Sequence, residues 1–298
     1  MNKLAIFDCD GTLVDSGGNI FAALSDAFGE HGVAVPPPEV SRRVIGLSLV
    51  EAIATLVPDE EPDRHVALAE SYKRHFQRAR AEGRVEEPLF AGIAELLDAL
   101  EADGWLLAVA TGKSDRGLSL CLDCHGYTTR FMSLQTADRH PSKPHPSMVH
   151  QAMADAGAAP ETTIVIGDTA FDMGMAVAAG ATGIGAGWGY HEAHEMLDAG
   201  AIAVGRTCAA CAPVRIGSAA LPHVARGGAP VESPEPPWHI VQLVLQPEPP
   251  WQVAQSTPAT GAPTPSRFAP WHCAHGARPR FASRAWKPSL VRSIQAGT

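Results

Sequence analysis

Apolar residues follow two spacings along the first 205 residues of this chain, and each spacing predicts a different element. Short apolar runs predict buried strands at residues 4–7, 105–110, 131–134, 163–166 and 182–186. Between most of these runs, apolar residues recur at every third or fourth position, which predicts helices at residues 19–31, 92–103, 114–125, 147–156 and 171–179. Strands that alternate with helices of this length favour an α/β fold with a parallel sheet.

One segment lacks strand-like runs. After three consecutive prolines at 36–38, residues 39–45, 49–56 and 63–82 show helical spacing separated by polar turns. We therefore expect an all-helical insert at residues 16–86. The sheet-forming core is expected to comprise residues 1–15 and 87–205.

The periodic pattern ends near residue 205, where residues 201–204 are the remainder of a final strand. Residues 206–298 hold 15 of the 25 prolines, and a chain this rich in proline buries too little apolar surface to offset its ordering entropy. We predict that this tail is disordered. Two interpretations of it stay open: an interaction tail rich in Trp and Pro, or the product of a shifted reading frame in GC-rich DNA.

The charge is distributed unevenly. The net charge is −9 over 298 residues, and it divides into −15 for residues 1–205 and +6 for the rest. An acidic body argues against nucleic acid as a partner. No apolar run is long enough to cross a membrane or to act as a signal peptide, so a cytoplasmic location with reduced cysteines is the default expectation.

Polar groups follow three of the predicted strands. Asp8 and Asp10 come after the first strand, Thr111 and Gly112 after the second, and Asp168 and Asp172 after the strand at 163–166. Lys143 stands alone in a proline-rich loop between the last two groups. Open parallel sheets bind ligands at the carboxyl ends of their strands, so these side chains are expected to share one site.

This ordered set of motifs resembles the haloacid dehalogenase superfamily of phosphatases that use an aspartate nucleophile. The resemblance covers residues 1 to 205, and residues 43–48 and 186–191 are similar to its phosphoglycolate phosphatase branch. It implies a doubly wound sheet with strand order 5-4-1-2-3 and identifies the helical insert as a cap domain.

The carboxylates suit phosphoryl transfer. Asp8 is the expected nucleophile, and Asp10, two residues further on the same face of an extended chain, is the expected acid and base. The resemblance assigns the same roles. Thr111 and Gly112 are expected to donate to phosphoryl oxygens, and Lys143 to hold the nucleophile and the phosphate by charge.

The resemblance implies Mg²⁺ as cofactor, bound by Asp8, the Asp10 carbonyl, Asp168 and Asp172. The expected reaction partner is a small phosphate ester, with 2-phosphoglycolate favoured and Arg43 of the insert as the candidate for its carboxylate. Two alternatives stay open: a sugar phosphomutase of the same fold, and a non-catalytic scaffold whose tail binds a partner.

Overall fold

The computed structural model describes residues 1–208, and its centre is a six-stranded parallel sheet. The strands are β1 (Asn2–Phe7), β2 (Trp105–Thr111), β3 (Ser133–Thr136), β4 (Ala158–Gly167), β5 (Thr182–Ala186) and β6 (Ala201–Gly205). Their spatial order is β3-β2-β1-β4-β5-β6. The predicted α/β class is confirmed, and the predicted order holds for the first five strands. β6 extends the sheet beyond β5.

Helices cover both faces of this sheet. They are α5 (Ile93–Ala102), α6 (Asp115–His125), α7 (Ser147–Ala156), α8 (Ala170–Ala178) and α9 (Ala193–Asp198). Successive residues of β1 pack on opposite sides, because side chains alternate along a strand. Ala5 and Phe7 join the cluster formed with α5 and α6, while Leu4 and Ile6 join the one formed with α7 and α8.

Four helices lie between β1 and α5. They are α1 (Gly17–Glu30), α2 (Pro38–Arg42), α3 (Leu49–Leu56) and α4 (Pro62–Ala81). Their apolar faces form a separate cluster around Phe28, Ile53 and Leu68. The expectation of helices without a strand in this segment agrees with the structure, and the domain boundaries at 16 and 86 stay a prediction.

Several elements differ from the sequence expectations, and α2, expected to reach residue 45, ends at Arg42. β4 begins five residues earlier than expected, because its half-exposed first half, Ala-Ala-Pro-Glu-Thr, has no large apolar residue and so gives no apolar run. β3 lies two residues further along the chain than the run at 131–134. α9 was not predicted, because a six-residue helix spans fewer than two turns and shows no periodicity. The predicted disorder concerns residues 206–298: residues 206–208 continue the described chain with Cys208 buried, and residues 209–298 lie outside the described residues. Within the described part, no helix combines the length and apolar character needed to cross a bilayer.

Candidate active site

The carboxyl ends of three neighbouring strands form the candidate site. β1 lies between β2 and β4, and Phe7 at its end is in register with Val109 and Ile166. The segment that begins at Asp8 therefore lies beside Thr111 at the end of β2 and Asp168 after the end of β4. The sheet topology brings together groups that are far apart in the sequence.

Three of the predicted acids meet in a buried cluster. Oxygen atoms of Asp8, Asp168 and Asp172 lie within 4.8 Å of one another, and none of the three residues is more than 1 % exposed. Asp172 stands in the first turn of α8, where its carboxylate accepts hydrogen bonds from the hydroxyl and the backbone N–H of Thr169. Asp172 thus caps its own helix and also faces the cluster.

Lys143 supplies the cation of this cluster. Its ammonium is fully buried, 2.8 Å from Oδ1 of Asp8 and 2.7 Å from Oδ1 of Asp172. Burial lowers the pKa of Lys143, but the charges of Asp172 and Asp8 outweigh burial and raise it overall. Lys143 is therefore protonated at any physiological pH.

Asp168 is held by groups from two loops. The Thr12 hydroxyl donates to its Oδ1 at 2.9 Å, and the backbone N–H of Tyr190 donates to its Oδ2 at 2.9 Å. The turn that carries Thr12 depends on Gly11, which has a φ of 83°. A Cβ at Gly11 would lie 2.2 Å from Asp168 Oδ2, so a side chain there would displace the acid.

The acid cluster carries more negative charge than Lys143 neutralises. Burial, followed by the charge of Asp172, raises the pKa of Asp8 to about 7 against the lowering effect of Lys143. Burial and the charge of Asp8 likewise raise the pKa of Asp168. Oδ2 of Asp8 is buried and accepts no hydrogen bond within residues 1–208. This oxygen belongs to a cluster of carboxylates and has no hydrogen-bond donor. It is therefore a suitable ligand for a divalent cation that binds oxygen atoms, such as Mg²⁺.

The excess negative charge predicts how the stability of the protein depends on pH when no metal is bound. A carboxyl whose pKa rises from 3.8 to about 7 on folding favours the native state below pH 4, and this contribution is lost as the pH rises towards 7. In chelator at pH 8, Asp8→Asn is expected to be more stable than the wild type by up to about 4 kcal/mol. Near pH 4 the difference is expected to vanish. Urea unfolding of both proteins across this pH range measures it, and a difference independent of pH would contradict the prediction.

Asp10 lies outside this cluster and has different partners. Its carboxylate accepts a hydrogen bond from the Ser16 hydroxyl and lies 2.8 Å from the Lys113 ammonium. Lys113 also pairs with Glu87 at 2.8 Å, and Glu87 pairs with Arg80 of α4 at 2.6 Å. This ion chain connects Asp10 to the helical segment through groups that are at least four-fifths buried.

Thr111 and Gly112 lie where the second strand ends. Thr111 is fully buried, and its hydroxyl accepts a hydrogen bond of 3.2 Å from the backbone N–H of Lys113. Gly112 faces the segment that joins α2 to α3, and a Cβ added there would lie 2.4 Å from the Leu47 carbonyl oxygen. The helical segment therefore approaches the sheet so closely that only a glycine fits.

We expect Gly112→Ala to impair the site without unfolding the sheet. The neighbour of the added methyl is backbone, which cannot rotate away, so residues 46–47 must shift away from the strand end. The phosphate release expected from the sequence motifs should fall at least about tenfold, because small displacements at a reacting centre are costly. Gly29→Ala is the matched control, since it adds the same methyl to α1 in open space and is expected to leave activity unchanged. Equal activity of both variants would show that the contact is unimportant.

Arg43 has a partner away from this cluster. Its guanidinium forms a two-fold ion pair with Glu195 of α9 and is half-exposed. Its side chain is not among the groups that line the cavity beside Asp10. Binding of a substrate carboxylate by Arg43 therefore stays a prediction, with no support from its position.

The cavity beside Asp10 has a volume of about 390 Å³. Asp10, Gly112 and Lys113 line it from the sheet, and residues of α1, α3 and α4 line it from the helical segment. Sequence analysis gave Lys113 no role. It missed Glu87 and Arg80 altogether, because nothing local to either residue indicates a partner at the strand ends.

Comparisons with known proteins identify the family of this chain. The family model described as haloacid dehalogenase-like hydrolase matches residues 5–186. A probable phosphatase, IndB of Dickeya dadantii, is 35% identical over 66% of this chain and 86% of its own. A phosphoglycolate phosphatase of Xylella fastidiosa is 29% identical over 65% of this chain and 85% of its own. A solved haloacid dehalogenase-like hydrolase from Streptococcus pneumoniae superimposes with a TM-score of 0.61 at 27% identity, covering 70% of this chain and 95% of that one.

Proposed function

Because this chain belongs to the haloacid dehalogenase-like hydrolase family, we propose that it is a magnesium-dependent phosphomonoesterase that forms an aspartyl-phosphate. The observation that carries the proposal is the buried cluster of Asp8, Asp168 and Asp172, in which Lys143 pairs with Asp8 and Asp172. Three carboxylates and one ammonium leave a charge of about −2 when all are ionised, which is unfavourable in a buried site unless a divalent cation is bound.

Asp8 and Asp10 divide the chemistry in this proposal. A carboxylate oxygen of Asp8 attacks phosphorus, and the bond to the leaving oxygen breaks as the new bond forms. Asp10 gives its proton to the leaving oxygen. Asp10 then accepts a proton from the water that attacks the acyl phosphate, and hydrolysis regenerates Asp8. The cavity beside Asp10 provides space for the leaving alcohol.

The remaining groups neutralise negative charge and orient the phosphoryl group. Lys143 balances the charge of the nucleophile and of the phosphoryl oxygens. Thr111 and Gly112, at the end of β2, donate from a hydroxyl and a backbone N–H to those oxygens. Bound Mg²⁺ would supply further positive charge next to the phosphoryl group. The residues that would hold it are Asp8, Asp168 and Asp172, together with the Asp10 carbonyl.

A small phosphate ester is the substrate class of this proposal, and 2-phosphoglycolate is its first named candidate. The name of the Xylella fastidiosa relative supports that candidate, as do residues 43–48 and 186–191. The pairing of Arg43 with Glu195 argues against that candidate, because the guanidinium expected to bind the substrate's carboxylate is already neutralised. 2-Phosphoglycolate therefore belongs in the first assay beside other esters.

The test combines phosphate release with metal binding. We expect the full-length protein to release phosphate from small monoesters with Mg²⁺ and to stop in chelator. Without substrate, Mg²⁺ at about a hundredfold its dissociation constant should stabilise the native state by about 2.7 kcal/mol, visible as a higher melting temperature. Asp168→Asn is expected to lose most of this stabilisation, whereas Asp59→Asn, an exposed acid between α3 and α4, keeps it. Phosphate release that is insensitive to chelator would contradict the proposal.

A further inference from the structure

Most of the surface of the cavity beside Asp10 is apolar. Its walls include Ile20 and Leu24 of α1, Val44, Leu49, and Tyr72 and Phe76 of α4. The two aromatic rings of α4 lie 5.7 Å apart between centroids. A volume of about 390 Å³ falls within the usual range for sites that bind drug-sized organic molecules. A two-carbon acid such as glycolate would leave most of this space empty.

The charges around the cavity are largely neutralised by other side chains. Lys113 is paired with Asp10 and Glu87. Arg80 is paired with Glu87, and Lys73 with Glu70. Within residues 1–208, Arg116 is the one cation lining the cavity that has no ion pair, and it is exposed to solvent, which screens it. The cavity therefore offers little attraction for a second anionic group on the substrate.

The geometry points to a phosphate monoester whose alcohol carries an aromatic or bulky apolar group. This inference rests on the proposed function, because that function places the phosphoryl group at Asp8 and the leaving alcohol beside Asp10. The alcohol would then extend between α1 and α4, where Tyr72 and Phe76 contact its apolar group. Burial of that group, and not ion pairing, would provide most of the selectivity among esters.

The test compares two esters that share a primary-alcohol leaving group, 2-phenylethyl phosphate and ethyl phosphate. Their affinities are measured by calorimetry on full-length Asp8→Asn with Mg²⁺, so that turnover does not interfere. We expect the phenyl ester to bind about tenfold to a hundredfold more tightly and with a more negative heat-capacity change. Equal affinity of the two esters, or tighter binding of 2-phosphoglycolate than of the phenyl ester, would overturn the inference.

Two further substitutions in the Asp8→Asn protein test where the apolar group of the ester binds. Phe76→Ala is expected to reduce the affinity ratio several-fold, because it removes an aromatic wall. Arg78→Ala changes an exposed residue of the same helix outside the cavity lining and is expected to leave the ratio unchanged. An unchanged ratio in Phe76→Ala would refute the assigned position of the apolar group. Hydrolysis by the wild type is measured separately: its absence contradicts the proposed function, whereas the affinity ratio tests the cavity alone.

Discussion

Replacement of Asp8 by Asn is expected to abolish phosphate release while leaving the fold intact. The amide has nearly the same shape but cannot act as the anionic nucleophile. Loss of a covalent nucleophile costs several orders of magnitude, so we expect kcat to fall at least about 10⁴-fold. The fold should persist, because the change removes a buried charge whose pKa is already raised by burial. Phosphate release and far-UV circular dichroism measure the two effects.

A nearby acid provides the control for this variant. Asp15 lies seven residues further along the chain and is exposed, outside the acid cluster. Asp15→Asn therefore makes the same chemical change without touching the proposed nucleophile, and near-normal turnover is expected. Residual activity of Asp8→Asn within about tenfold of the wild type would assign the nucleophile to another group.

Replacement of Lys143 by Met is expected to affect stability and activity together. The ammonium is fully buried between Asp8 and Asp172, so its removal leaves both carboxylates without their cation. Loss of one partner from a buried ion pair typically costs about 3–5 kcal/mol. In chelator, the melting temperature should therefore drop strongly. Added Mg²⁺ should restore part of it, because the metal neutralises the same oxygens.

Activity of Lys143→Met should fall about 10²- to 10³-fold even at saturating Mg²⁺, a loss typical of a removed electrostatic contact to the reacting group. Lys3→Met is the control, because Lys3 pairs with Asp103 on the surface and its loss should cost at most about 1 kcal/mol. If Lys143→Met were as stable as the wild type in chelator, the acids would not depend on this cation.

The sequence predicts the parts of the site that strands place directly. Asp8, Thr111 and Asp168 each follow an apolar run. Once these runs are recognised as neighbouring parallel strands, the topology of the sheet brings the three residues close together. The assignment of Lys143 to the site depended on its order in the chain. Contact of Lys143 with the nucleophile was expected, but its second ion pair, with Asp172, was not predicted, because the loop from β3 to α7 has no periodic pattern that fixes its path. The catalytic roles of all these residues remain predictions.

Contacts between distant surface side chains were not predictable in the same way. A guanidinium at the end of a short helix reaches either a ligand or a nearby acid, and no local pattern selects between them. Arg43 pairs with Glu195, which lies 152 positions away on a helix too short for its spacing to reveal it. The close approach of Leu47 to Gly112 is likewise set by packing between segments, and a glycine after a strand gives no sign of it.

The ion chain from Asp10 to Arg80 has a consequence for ligand selection. Arg80 stands on the same helix as Tyr72 and Phe76, while Asp10 follows β1. A ligand too large for the cavity must push α4 outwards. This movement lengthens the ion pair between Arg80 and Glu87 and exposes Glu87 to water. A ligand that is too large therefore loses the stabilisation from this ion pair and gains nothing in exchange, whereas a ligand that fits the existing cavity keeps it. Asp10, the proposed proton donor, is thus connected through ion pairs to the helix that borders the cavity, and we expect a poor fit to be unfavourable before any bond to phosphorus breaks.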